Sequence, residues 1–242
     1  MARDGALRAQ YLQALGIEQW QLRRAAPAAQ PPAAAVTSLA LPLPAPAPAT
    51  SDAWQALATE VRSCVRCGLH ATRTQTVFGV GNLNAELLVV GEAPGADEDR
   101  QGEPFVGRAG QLLNSMLRAM RAPRETVYIA NLLKCRPPGN RDPAPEEVAS
   151  CQPYLQRQIG LLRPRLLLAV GRIAAQNLLA TDTPISKLRG VVHRYGAAGT
   201  PLIVTYHPAY LLRSPTEKRK SWADLRLVCG ELARLRALPR NS

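Results

Sequence analysis

The chain has 242 residues, 46% of them hydrophobic, and carries 30 Lys and Arg against 18 Asp and Glu, a formal net charge of +12. This is enough to fill one core, and no run approaches the roughly 20 apolar residues of a spanning helix, which excludes a membrane-spanning helix. A balance this basic points to a phosphate-rich partner, because every phosphate neutralised releases condensed counterions; an anionic membrane surface is the other taker of such charge.

In residues 6–26, ALRAQYLQALGIEQWQLRRAA, a helical face carries Leu7, Tyr11, Leu12 and Leu15 and stops at Gly16. Ile17, Trp20 and Leu22 follow in an extended stretch, which suits a peptide that docks in a groove or an end that folds back on its own domain. Charge alternates with apolar residues here and no signal-type apolar region follows, so the expected location is cytoplasmic. Residues 25–50 are rich in Ala and Pro and carry no charge. Proline denies helix hydrogen bonds and no strand alternation is present, which predicts a disordered or semi-extended linker reaching roughly 80 Å if polyproline-like. The expected organisation is a docking peptide at 1–24, a linker at 25–50 and one folded domain at 51–242.

Within that domain four apolar runs, AELLVV (85–90), TVYIANLL (126–133), PRLLLAV (164–170) and TPLIVTY (200–206), lack polar alternation, as strands covered on both faces do. Helical patterns separate them at 109–120, 145–162 and 171–180, and a last helix spans 217–238. The expectation is an α/β three-layer sandwich around a mostly parallel, four-stranded sheet. Ligands of such sheets bind beyond the carboxyl ends of the strands, so the residues after each strand should share one rim: Gly91 to Gly95, Asn131 with KCRPPGNRDP, Gly171-Arg172, and His207 to Arg213.

The stretch from Gly91 to Gly110, GEAPGADEDRQGEPFVGRAG, packs five acids and five glycines into twenty residues of a basic chain. It lacks both the GK[ST] ending of a phosphate loop and the G-x-G-x-x-G spacing. Glu92, Asp97, Glu98 and Asp99 could ligate a metal, although adjacent acids cannot all face one ion and such runs commonly form turns and caps. Phe105, one of only two phenylalanines, is read here as a core residue. The amide of Asn131 offers the paired donor and acceptor that fit a pyrimidine edge, or it is satisfied by neighbouring backbone. His207 on the same rim becomes a catalytic candidate. Cys64, Cys67, Cys135 and Cys151 make a closed site for zinc or an iron–sulphur cluster, and spacing alone does not name the metal. Cys229 falls on the apolar face of the last helix and is expected in the core.

In this order, GEAPG at Gly91, PFVGRAG at Pro104, NLLKCRP at Asn131, the four cysteines and HPAY at His207 resemble the type-4 uracil-DNA glycosylases. The resemblance covers residues 51–230 and implies a [4Fe-4S] cluster of structural role on Cys64, Cys67, Cys135 and Cys151. It implies that Phe105 stacks on a flipped uracil, that Asn131 reads its N3 and O4 edge, and that Glu98 sits near C5. It further implies that the backbone of Glu92 and Ala93 meets base and sugar, and that His207 approaches O2. Leu211 would wedge into the base stack and Arg213 would hold phosphate. Ala93 stands where the best-known branch has a water-orienting Asp, which leaves Glu92 as the candidate. The implied activity is monofunctional hydrolysis of the uracil N-glycosidic bond in single- or double-stranded DNA, by a monomer, in a bacterial nucleoid, leaving an abasic site for base excision repair. The alternative is a non-catalytic, cluster-bearing DNA-binding adaptor that keeps the fold. LGIEQWQLRR also resembles the N-terminal peptide of the psi subunit of bacterial DNA polymerase III, which implies clamp-loader contact through residues 6–26.

Overall fold

Leu87 and Val89 point to one side of their strand and Leu88 and Val90 to the other, and all four are buried. That period-2 burial on both faces is why the run shows no polar alternation in sequence. The computed structural model describes residues 51–238, so the docking peptide and linker read from the sequence lie outside the described residues. The strands are β1 (Val80–Gly81), β2 (Leu87–Gly91), β3 (Tyr128–Asn131), β4 (Leu166–Val170), β5 (Val192–Tyr195) and β6 (Thr200–Thr205). The sheet order is β1-β3-β2-β4-β6-β5. Strands β3, β2, β4 and β6 are mutually parallel and are the four expected from the sequence.

The sheet has six strands rather than four, because β1 and β5 pair antiparallel on its two edges. The first has only two residues and the second alternates exposed with half-buried positions. Neither carries the buried apolar run that marks a central strand.

The helices are α1 (Ser51–Arg62), α2 (Ala96–Gln101), α3 (Arg108–Ala119), α4 (Pro145–Leu162), α5 (Arg172–Leu179), α6 (Ile185–Leu188), α7 (Pro208–Arg213) and α8 (Lys218–Arg236). One face of the sheet packs Val89, Ile129, Leu168 and Ile203 against Leu113 and Leu117 of α3 and Leu225 and Val228 of α8. The other packs Leu88, Ala130, Leu167 and Val204 against Leu155 and Ile159 of α4 and Ala174 and Ala175 of α5. These are the three layers expected. Cys229 is exposed, a correction to the sequence reading, since α8 presents Val228 and Leu232 to the sheet instead.

A third apolar cluster lies apart from the sheet, where Leu57 and Val61 of α1 meet Leu69, Leu133, Val148 and Tyr154. Cys135 and Cys151 belong to it, and Cys64 and Cys67 pack against it. Glu60 of α1 and Arg157 of α4 form an ion pair that helps fasten this layer. No helix among the described residues is long and apolar enough to cross a membrane.

Candidate active site

Beyond the carboxyl ends of the parallel strands lies a pocket of about 410 Å³. Glu92, Ala93 and Glu98 reach it from the end of β2, Asn131 from the end of β3, His207 and Arg213 from the end of β6, and Phe105 from the turn before α3. Strand β4 contributes from behind: the Cβ position of Gly171, at φ +105°, stands 3.1 Å from Cβ of His207. A side chain there would be strained by the backbone and crowd the imidazole. The four strand endings thus converge as the strand pattern predicts.

The acidic run of α2 serves the loop rather than an ion. Oε2 of Glu98 accepts from the Gly95 amide at 3.1 Å, and Oε1 accepts from Val106 at 2.9 Å and Gly107 at 3.1 Å. One carboxylate therefore joins the helix start to the residues flanking Phe105, in the charge-assisted geometry that makes such bonds strong. Asp99, buried, accepts from the Thr74 amide at 3.0 Å, and Asp97 pairs with Arg100. Among the described residues these acids do not gather into a group of three that could hold a metal ion.

Phe105 is held at φ +57°, a left-handed conformation costly for an aromatic residue. The bonds from Glu98 on one side and Arg124, which donates to the Pro104 carbonyl at 2.6 Å, on the other over-determine it. Its ring lies 5.7 Å from the His207 ring, tilted by 32°. Gly91 allows the approach from below, since a Cβ there would sit 2.7 Å from Phe105 and 2.3 Å from Oδ1 of Asn131.

Asn131 is 2% exposed, and its Oδ1 has no hydrogen-bond partner. An unsatisfied buried amide oxygen costs ~1–3 kcal/mol, so the fold keeps open a position that a ligand donor would fill. His207 is the residue before α7, and its Nδ1 accepts from the Ala209 amide at 3.1 Å. That bond puts the ring proton on Nε2. Burial, reinforced by the positive charge of Arg213 and partly opposed by Glu98, pushes the imidazole down to about 4, so at neutral pH it is an uncharged donor. Glu92 shifts the other way: burial first, then the charge of Asp142, push its carboxyl up to about 7 against the opposing pull of Arg172. Arg172 and Asp142 pair at 2.8 Å.

One sequence expectation fails. Leu211 is 1% exposed and packs in the core between the sheet and its helices, so it cannot enter a base stack from this position. The exposed leucine is its neighbour Leu212, at 37%. A helical turn presents adjacent residues about 100° apart, and register alone does not say which faces out.

Most of the remaining lining residues fall in the stretches that the sequence placed on the rim. Asn140 and Arg141, within the KCRPPGNRDP stretch expected on the rim, reach the pocket from the turn after Cys135; the sequence assigned neither of them a role of its own.

The four cysteines line a second, far smaller cavity of about 10 Å³, and among the described residues their side chains do not gather into a ready-made metal group. Three of the four sulphurs accept N–H donors: Cys135 from Arg73 Nη1 at 3.1 Å, Cys151 from the Lys134 amide at 3.3 Å, and Cys64 from the Arg66 amide at 3.5 Å. Such donors favour sulphurs that carry negative charge. Burial, the largest cause, pushes the Cys151 thiol up to about 11 against the opposing pull of Lys134, and raises Cys135 as well against that of Arg73. His70, which the sequence did not single out, also borders this cavity, with Nδ1 2.8 Å from the Cys67 carbonyl oxygen.

A sequence profile of the Uracil DNA glycosylase superfamily matches residues 78–226. Over 182 residues, 73% of this chain and 91% of the relative, the chain is 48% identical to the type-4 uracil-DNA glycosylase of Archaeoglobus fulgidus. It is 41% identical to that of Pyrobaculum aerophilum, covering 93% of the relative, and 44% identical to that of Thermotoga maritima, covering 83%.

Proposed function

The chain belongs to the uracil-DNA glycosylase superfamily, alongside its type-4 members, and from that premise we propose how its residues carry out uracil excision. The activity is hydrolysis of the bond between sugar C1′ and uracil N1 in DNA, which leaves an abasic site for base excision repair. The observation that carries the reading is the pairing, in one pocket, of an unpartnered buried amide oxygen on Asn131 with an uncharged imidazole donor on His207.

The target nucleotide must leave the helix to reach this pocket, at a cost of a few kcal/mol that a mispaired uracil lowers. Oδ1 of Asn131 then receives the N3–H of uracil and its amide N–H donates to O4. Phe105 stacks on the ring. Glu98, already committed to three backbone amides, acts near C5 by fixing the loop. Bond breaking leaves an oxocarbenium-like sugar and an anionic base, and Nε2–H of His207 donates to O2, where negative charge gathers. A neutral donor strengthens as that charge develops. The backbone at Glu92 and Ala93 meets base and sugar. Glu92, raised to about 7, is poised to accept the proton of the attacking water near neutrality. Arg213 and neighbouring cations hold phosphates. Lysine is absent from the pocket lining, which fits hydrolysis rather than Schiff-base chemistry.

Cys64, Cys67, Cys135 and Cys151 would hold a [4Fe-4S] cluster, which supplies a rigid cross-link between α1, the segment after β3 and α4. In this reading the enzyme is a cytoplasmic, nucleoid-associated monomer, residues 51–242 form the catalytic domain, 25–50 the tether, and 6–26 reach the clamp loader. A pull-down in which Trp20→Ala keeps full clamp-loader retention removes that last element.

The test of activity is a uracil-containing oligonucleotide, treated with alkali after incubation. Strand scission by the wild type, reduced by Asn131→Ala and His207→Ala, supports the reading. Binding without scission favours a DNA-binding adaptor instead.

A further inference from the structure

Three residues after Asn131 the chain buries a lysine. Lys134 is 1% exposed. Its Nζ donates to the main-chain carbonyl of Asn131 at 2.9 Å and to Oε1 of Gln158 at 2.6 Å. Gln158 is itself fully buried and donates from Nε2 to the Phe78 carbonyl at 2.9 Å. Both partners of the ammonium are neutral, and among the described residues no carboxylate pairs with it. Burying an ammonium costs several kcal/mol when no opposite charge is near. The nearest groups of the cysteine cavity are Cys135, the next residue, and Cys151, which accepts the Lys134 amide at 3.3 Å. Lys134 borders the four-cysteine cavity.

The same lysine therefore touches two sites. Its main chain belongs to the cysteine cavity, and its side chain grips the peptide unit from which the Asn131 amide springs. That amide has one oxygen waiting in the base pocket and little else to fix it.

We propose that Lys134 is a positioning residue for uracil recognition: its side chain holds the Asn131 backbone in register with the base pocket, while its main chain is tied to Cys151 and the cysteine cavity. The cysteine site and the base pocket then form one polar unit. This rests on the role given to Asn131 above. Integrity of the cysteine site becomes a condition for reading the base, not only for holding the fold.

The experiment is a double-mutant cycle on the holoprotein, with single-turnover uracil release as one readout. Lys134→Met keeps length and apolar volume while removing the charge. The expected result is at least a tenfold loss of rate when Asn131 is present and less than a twofold loss when Asn131 is already Ala, because a residue acting through Asn131 has nothing left to position. A second readout is the reduction potential of the bound metal centre, which falls in Lys134→Met because a neighbouring positive charge is gone. Should Lys134→Met fail to fold, Gln158→Met serves in the same cycle, with a smaller loss of about threefold that likewise vanishes in Asn131→Ala. Equal losses in both backgrounds, or a wild-type rate and potential in Lys134→Met, overturn the proposal and leave the reading of the pocket intact. Full activity in Asn131→Ala alone would sink that reading, and this proposal with it.

Discussion

Gly91→Ala adds one methyl group at the floor of the pocket. Gly91 lies opposite Asn131 in the β2–β3 register and is fully packed. The added carbon would stand 2.3 Å from Oδ1 of Asn131 and 2.7 Å from Cε2 and Cζ of Phe105. Ordinary contact begins near 3.4 Å, so the amide oxygen must retreat by about 1 Å, and the ring by somewhat less. The φ of Gly91 is not in the left-handed region, so the effect is steric rather than conformational. A misplacement of 1 Å in a positioned group costs ~10²-fold in rate, equivalent to about 2.7 kcal/mol of barrier, while overpacking costs ~1–3 kcal/mol of stability. Single-turnover uracil release measured beside thermal unfolding separates the two. The rate should fall about a hundredfold in protein that is still folded at the assay temperature, with affinity for undamaged DNA unchanged because the phosphate contacts lie elsewhere. Gly230→Ala, whose added carbon meets nothing within 4 Å on α8, is the control. A rate for Gly91→Ala within threefold of wild type would refute the claim that Asn131 and Phe105 act from the positions described.

If Glu92 receives the proton of water, activity rises with pH through about 7, and Asp142→Asn moves that limb to lower pH by removing the charge that helps hold the carboxyl protonated; a pH–rate profile unchanged by the substitution counts against the role. The depressed His207 predicts a stability slope. Below its unfolded pKa of 6.5 the unfolded chain takes up a proton that the folded chain refuses until about pH 4, so stability is lost as pH falls through that window, by about 3 kcal/mol in full. Denaturant unfolding of wild type against His207→Gln isolates this from the opposite contribution of Glu92, and identical slopes would contradict a neutral imidazole. Leu211→Ala should cost ~2–5 kcal/mol of stability as a core truncation, whereas Leu212→Ala should leave unfolding unchanged and weaken excision from duplex more than from single strands. If the cysteines hold the proposed iron–sulphur cluster, Arg73→Met, which removes the donor to Cys135 Sγ, should speed iron loss to a chelator several-fold, followed by visible absorbance.

Much of this was legible in the chain itself. The central strands announce themselves because both faces are covered, so Leu87 to Val90 and Leu166 to Val170 read as unbroken apolar runs, and the helices between them follow from periodicity. The ends of those strands then name the rim, since parallel strands joined by crossovers all finish on one side. The edge strands were not legible, because hydrogen bonds to a neighbour decide them, and β5 is half exposed.

Residue type in order was sufficient to give the family and the chemical candidates on the rim, because a motif records which groups are needed and roughly where. It could not give direction. Whether Leu211 or Leu212 faces out depends on the rotation of a two-turn helix against α3, a matter of packing between segments about a hundred residues apart. The tautomer of His207, the elevated carboxyl of Glu92 and the burial of Lys134 likewise arise from desolvation and from charges brought close only by folding. Sequence fixes which groups a chain owns; their protonation and orientation belong to the surroundings that tertiary structure assembles.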